Sequence, residues 1–301
     1  MDIHEIGTQL YVLQSGVNIG VIADGHHALL IDTGMDRDAA KKILAALRQL
    51  RLDPVAIIIT HAHADHFGGA AHLTKQTGAA VYAAAMEAAV MGEPLLEPIY
   101  LFSGAQPPHE MRHKFLLAQP CPVSAFLGPG PQEIAGFPLE VISLPGHSPS
   151  QIGVRTADAL FVGDTFFVPD ILEKHKIPFY VNIDAAITSM EWVKRHPART
   201  VITGHGTLMT EQSPLAAAID ANRERLDAIR THILDLLADG QLRPEGELLA
   251  ATFTRFGIDV TNLTQYVLAR TTVLAALSSL NAAEGVHPAF VANQLCWQRT
   301  E

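Results

Sequence analysis

Residues 57–69, IIITHAHADHFGG, run an apolar, β-branched segment straight into three histidines and an aspartate within six positions. Imidazoles packed that densely repel one another once protonated, so a fold that keeps them must neutralise or ligate them. A turn directly after a buried strand is a rigid frame for doing so. Alternate residues of an extended turn face the same way, so His61 and His63 point to one side. Asp65 and His66 follow as the chain bends into a helix start at Gly68–Gly69.

Three further segments repeat this grammar. VISLPGHS ends at His147, ALFVGDT at Asp164 and TVITGHG at His205, each an apolar strand followed by glycine and a residue of metal-ligand type. Glycine beside the ligand lets the backbone turn where a bulkier residue blocks the approach. LLIDTG places Asp32 at another strand end, where a carboxylate supports the site; the second DTG half that an aspartic protease needs is missing. One such strand end is a coincidence; three beside the THAHADH cluster point to a shared site. Histidine and carboxylate donors with open positions favour catalytic zinc, with manganese or iron as alternatives.

The first half alternates strand and helix. DRDAAKKILAALRQL has apolar residues at helical spacing with Asp36 or Asp38 as its cap, VAIIIT is a buried strand, and GGAAHLTKQTG and AMEAAVMG read as helices ending at Gly78 and Gly92. Prolines 94, 98, 107, 108, 120, 122, 129 and 131 break the pattern between Glu93 and Gly136, so this is a loop-rich excursion of the kind that carries binding residues. A second irregular stretch, VPDILEKHKIPFYVNI, holds Lys174, His175 and Tyr180. Tyr180 is the preferred donor to a substrate oxyanion there, and Arg112 or Lys174 the partner for an anionic group. From Thr210 the texture becomes mostly helical, beginning with a long helix from Ser213. The domain reading is therefore 1–209 catalytic and 210–301 a helical C-terminal domain.

Composition narrows the partners. With 301 residues, 48% hydrophobic and 17% charged, the chain has ample material for a core. Its net charge of −10 opposes phosphate-backbone binding, and residues 210–301 carry eleven acidic side chains against seven arginines and no lysine. Nucleic acid is disfavoured as partner or substrate, and no run reaches membrane-span length; the expected partner is a small-molecule substrate. The N-terminus, MDIHEIGTQL, has no secretory-signal pattern, and Cys121 and Cys296 read as free thiols. The expected location is the cytoplasm.

THAHADH, GHS, GDT and GH, in that order and with LLIDTG upstream, resemble the metallo-β-lactamase-fold hydrolase superfamily over roughly residues 10–209. The resemblance implies a four-layer αββα sandwich with the site at one edge of its two sheets. It implies two divalent metal ions per chain: His61, His63 and His147 would hold one, Asp65, His66 and His205 the other, and Asp164 would bridge them. In GHSPSQIG, Ser150 stands where the family often has glycine, a change the turn tolerates. The C-terminal helices resemble the helical or winged-helix appendage of some members, hydroxyacylglutathione hydrolases and lactonases being the nearest in architecture. The reaction then expected is hydrolysis of a thioester or related ester-like bond by a metal-bridging hydroxide, with Asp65 moving the proton. Lactone or β-lactam hydrolysis is the alternative within the fold, a mononuclear iron oxygenase or a non-catalytic metal-binding module the alternative outside it. Homodimerisation through the C-terminal helices is left open.

Overall fold

The structure is a computed structural model that describes residues 1–210 and 214–300. Residues 211–213 and 301, including the helix start expected at Ser213, lie outside the described residues.

Strands β1 (Asp2–Gly7), β2 (Leu10–Gln14), β3 (Asn18–Asp24), β4 (His27–Ile31), β5 (Asp53–Ile58), β6 (Ala80–Ala83) and β7 (Ala125–Phe126) form one sheet in chain order. The first four are an antiparallel meander; β4 to β7 are parallel. Parallel neighbours need crossovers. These carry α1 (Arg37–Leu50), α2 (Ala64–Phe67), α3 (Ala70–Thr77), α4 (Ala85–Gly92) and α5 (Leu96–Leu101). Asp36 caps α1 by accepting from the backbone N–H groups of Asp38 and Ala39.

The second sheet holds β8 (Gly130–Ile134), β9 (Phe137–Ser143), β10 (Ile152–Arg155), β11 (Ala159–Gly163), β12 (Thr200–Thr203) and β13 (Met209–Thr210), in order β13-β12-β11-β10-β9-β8. Its one parallel pair, β11–β12, is joined by α6 (Pro169–His175) and α7 (Ile183–Arg195).

Side-chain alternation explains why these strands read as unbroken apolar runs. Leu29, Ile31, Ala56 and Ile58 meet Val141, Val154 and Phe161 between the two sheets. Their neighbours Leu30, Ile57 and Ile59 face the other way, onto Ile43 and Leu47 of α1 and Leu73 of α3. On the far side, Leu160, Val162 and Val201 meet Met190 and Val193 of α7. Helix, sheet, sheet and helix thus stack as four layers, as expected.

The C-terminal region shares this last core. Helices α8 (Leu215–Leu236), α9 (Glu245–Arg255) and α10 (Leu263–Ala282) contribute Ile219, Leu226, Leu249, Val273 and Leu277 to the cluster that covers the second sheet. The chain does not stay helical to its end. Strands β14 (Arg243–Pro244), β15 (Val286–Val291) and β16 (Gln294–Arg299) make a third sheet, in order β14-β16-β15. Ala292 and Asn293 both have positive φ, the conformation that closes a tight hairpin. Pro288 sits in β15, an edge strand, where its missing N–H does no harm. Among the described residues no helix is long and apolar enough to cross a membrane.

The excursion after Glu93 is also more ordered than its prolines imply. Pro98 falls in the first turn of α5, which needs no N–H there. Leu101, Met111 and Leu116 then pack on Val267 of α10.

Candidate metal centre

The four strand ends singled out in the sequence meet at one edge of the sandwich. His61 and His63 follow β5, Asp65 and His66 lie on α2, His147 follows β9, Asp164 follows β11 and His205 follows β12. Their donor atoms fall into three overlapping groups, each within 4.8 Å: His61, His63 and His147; His61, His66 and Asp164; Asp65, His66 and His205. Asp164 lies between the halves, its carboxylate 3.6 Å from His147 Nε2, 3.6 Å from His66 Nε2 and 3.4 Å from His205 Nε2. Asp65 Oδ2 is 3.3 Å from His205 Nε2.

Each ring but one is fixed from behind. His147 Nδ1 donates to the Phe179 carbonyl at 2.8 Å, His205 Nδ1 to the Gly16 carbonyl at 2.7 Å and His66 Nδ1 to Asp32 Oδ2 at 2.8 Å. Asp32 also accepts from the Thr60 backbone N–H and hydroxyl. The Thr60 oxygen, its proton given to Asp32, accepts from His61 Nδ1 at 3.1 Å. Four Nε2 atoms are thereby turned inward. His63 is rotated instead, so that its Nδ1 faces His147 Nε2 at 2.9 Å.

Buried polar atoms are normally hydrogen-bonded. Here His61 Nε2, His66 Nε2 and Asp164 Oδ1 have no hydrogen-bond partner, and all point into the cluster. A divalent cation satisfies such converging lone pairs, and the donor set of five imidazoles and two carboxylates fits one.

Close approach explains two glycines. A Cβ on Gly204 would lie 2.1 Å from Asp164 Oδ1 and 2.7 Å from His66 Cε1. Gly146 has φ +136 and would meet the Ala186 backbone at 2.4 Å. Both residues stand one before a candidate ligand, the position where the sequence grammar puts glycine.

The electrostatics divide the cluster. Burial holds His61 well below the ordinary imidazole range, with His66, His63 and His147 adding to the effect. Burial and His147 lower His63 to about 3, and burial lowers His147. On the other side burial also disfavours charge, but Asp164, Asp32 and Asp65 outweigh it and push His66 up to about 9. Burial opposes the charge on His205 too, and Asp164 and Asp65 overcome it, pushing that imidazole up to about 11. Burial would raise Asp65 and Asp164; the neighbouring imidazoles, His66 and His205 foremost, hold both low instead.

The cluster opens into a pocket of about 800 Å³. Val17, Met35, Phe115, Phe167 and Phe179 are among its walls, with Lys42, Lys114 and Lys174 at its rim. Leu268 of α10 reaches it as well.

The structure does not bring Tyr180 to the mouth as the sequence reading expected. The side chain is fully buried behind His147, with ring centroids 5.9 Å apart, and its hydroxyl donates to the Thr165 carbonyl at 3.2 Å. Its donor is spent on the backbone, so its part is packing rather than oxyanion binding. Arg112 is likewise turned onto the Pro107 carbonyl, whereas Lys174 and His175 do line the pocket.

Two buried glutamates were missed. Glu87 of α4 accepts from the Ala62 N–H, the Ser148 hydroxyl and the Ser150 N–H, tying the THAHADH turn to the GHS turn. Ser150, where glycine was the family habit, thus contributes an anchored N–H. Glu97 of α5 is buried at the pocket wall, 4.0 Å from His63 Nε2. Gln151 joins the second sheet's turns through the Leu144 and Val162 carbonyls and the Thr165 hydroxyl. Their sequence signal is weak, since Glu and Gln on helices and turns are usually solvated.

Comparison with known proteins agrees with this geometry. A hydroxyacylglutathione hydrolase of Albidiferax ferrireducens is 32% identical over 154 residues, 50% of this chain and 47% of the relative. The chain thus spans about half the length of that relative. A probable metallo-hydrolase of Bacillus subtilis, YqgX, is 29% identical over 191 residues, 61% of this chain and 83% of its own. Among solved structures, a beta-lactamase domain protein from Burkholderia ambifaria superposes with TM-score 0.77 at 18% identity, covering 99% of this chain and 94% of the other. A metallo-beta-lactamase family protein from Thermus thermophilus gives 0.72 at 20% identity, covering 97% and 99%. At such identities the structural likeness establishes a shared fold, third sheet and C-terminal helices included within the aligned span. The sequence model of the Metallo-beta-lactamase superfamily matches residues 13–205, which hold every residue of the metal cluster. The chain belongs to that superfamily.

Proposed function

We propose that this chain is a metal-dependent hydrolase that holds two divalent metal ions, zinc by donor type, and cleaves an ester-like bond of a small molecule, a thioester or a related acyl bond. The observation that carries the reading is the position of Asp164 within 3.6 Å of imidazoles from both donor triads, together with the unpartnered inward nitrogens of His61 and His66. His61, His63 and His147 would hold one ion, Asp65, His66 and His205 the other, with Asp164 touching both. Ions bound there supply an acidified water, with pKa near roughly 7, and polarise the acyl oxygen.

The chain's own groups do the rest. Asp65 is partly exposed at the pocket floor, with 28% of its side chain accessible, so its carboxylate can take a proton and return it to a leaving group. Phe167, Phe179 and Phe115 offer an apolar wall to an acyl chain, and Lys42 and Lys174 meet an anionic end. The apolar wall equally favours a lactone with an acyl tail. The buried free thiols Cys121 and Cys296 fit a reducing, cytoplasmic setting.

The test is a panel of acyl thioesters, lactones and β-lactams offered to metal-loaded protein, with Asp65→Ala as the control. Turnover of a thioester that falls by about 10²–10⁴-fold in the variant supports the reading. Turnover confined to β-lactams would move the reaction class, and binding without turnover would make the chain a metal-binding module.

A further inference from the structure

Four of the five cluster histidines have an acceptor behind the ring: Thr60 for His61, Asp32 for His66, the Phe179 carbonyl for His147 and the Gly16 carbonyl for His205. His63 is the exception. Its Nδ1 faces His147 Nε2 and so occupies the inward position, which leaves Nε2 on the outside, buried and without a partner. The nearest carboxylate oxygen is Glu97 Oε1, at 4.0 Å. Glu97 is itself buried and makes no hydrogen bond among the described residues. Two polar groups, each costly to bury alone, face each other across a gap about 1 Å too long for a bond.

We propose that Glu97 is the positioning residue for His63, accepting its Nε2–H and so directing Nδ1 at the metal. The proposal rests on the reading that His63 holds a metal. Metal-bound histidines generally give their outer N–H to such a partner, which fixes ring orientation and tautomer. Glu97 does for the first triad what Asp32 does for the second, with one difference in delivery. Asp32 sits at a strand end inside the sandwich, directly after β4. Glu97 rides on α5, which is held by the packing of Leu101, Met111 and Leu116 on Val267 of α10 and by the Arg270 bond to Ser103. The C-terminal region is therefore linked to His63 through this carboxylate, and a shift of α5 by about 1 Å makes or breaks its contact.

The experiment is stepwise zinc titration of metal-free protein against a competing chelator, with a thermal melt of each metal-free variant. The step lost in His147→Ala marks the first-triad metal. Glu97→Ala is expected to weaken that step about 10- to 100-fold, to leave the other step unchanged and not to lower the metal-free melting temperature. Glu97→Gln, whose amide oxygen still accepts, is expected to recover most of the loss. Glu97→Ala with both steps at their original strength would overturn the proposal alone. So would equal weakening of both steps together with a lower metal-free melting temperature, the mark of a merely structural role. Wild-type protein that binds no metal would overturn the two-metal reading and this proposal together.

Discussion

The two halves of the cluster are built from the same side chains to opposite electrostatic ends. His61, His63 and His147 are driven neutral by burial and by one another, so no imidazolium charge opposes a cation there. His66 and His205 sit among Asp164, Asp32 and Asp65 and hold protons instead, at pKa values of about 9 and 11. The first half is a preformed socket. The second is a charge-balanced one in which protons occupy the place of the cation. The difference teaches that ligand identity alone does not set metal affinity: the same imidazole is ready or blocked according to the carboxylates behind it.

The largest effect should come from the residue the halves share. Asp164→Ala removes the carboxylate common to both, and turnover should fall by about 10³-fold or more, with loss of at least one metal by elemental analysis. A variant that kept both metals would erase the shared-ligand picture. Asp65→Ala should be more selective. It removes the proposed second-half ligand and proton carrier, so turnover should fall by about 10²–10⁴-fold while the first-half metal stays bound.

Asp32→Asn sharpens the contrast without touching a ligand. It should weaken only the second-half metal, by about 10- to 100-fold in chelator competition, because His66 loses its carboxylate anchor. Equal weakening at both halves would mean that the site is one coupled unit.

The pH dependence follows from the same division. Below about pH 9 to 11, His66 and His205 hold protons that a metal must displace, so second-half affinity should rise as pH rises, about tenfold per unit for each proton released. His63 is neutral above about pH 3, so first-half affinity should stay nearly flat from about pH 6 to 9. Zinc titrations at three pH values separate the two cases; parallel slopes would contradict the assignment.

A smaller effect belongs to the scaffold. Asn222 of α8 accepts from the Phe167 N–H and donates to its carbonyl, fixing one pocket wall from the C-terminal side. Asn222→Ala leaves those buried groups unpaired and should cost about 1–3 kcal/mol in denaturant unfolding, with little change in metal content.

The candidate ligands were legible because their signal is local: a strand, a tight turn and a residue of ligand type within a few positions. Asp32 was legible for the same reason, and the apolar runs of β4, β5 and β11 announced strands buried on both faces. Glu87 and Glu97 were not, because their roles exist only once α4 and α5 dock, over distances the sequence does not encode locally. Tyr180 shows the complementary limit. Its neighbourhood was legible, but the direction of its hydroxyl is set by the Thr165 carbonyl and by Thr272 of α10, which accepts from the Tyr180 backbone N–H. The β15–β16 hairpin was masked by Pro288, which argues against a strand until the strand proves to be an edge.

The central claim is that two differently charged half-sites share one carboxylate, and metal content per chain tests it most directly. Elemental analysis of protein purified without chelator near neutral pH should give close to two zinc or manganese ions per chain, falling toward one in Asp65→Ala. One iron per chain, unchanged in Asp65→Ala, would contradict the account and bring oxygen-dependent chemistry forward.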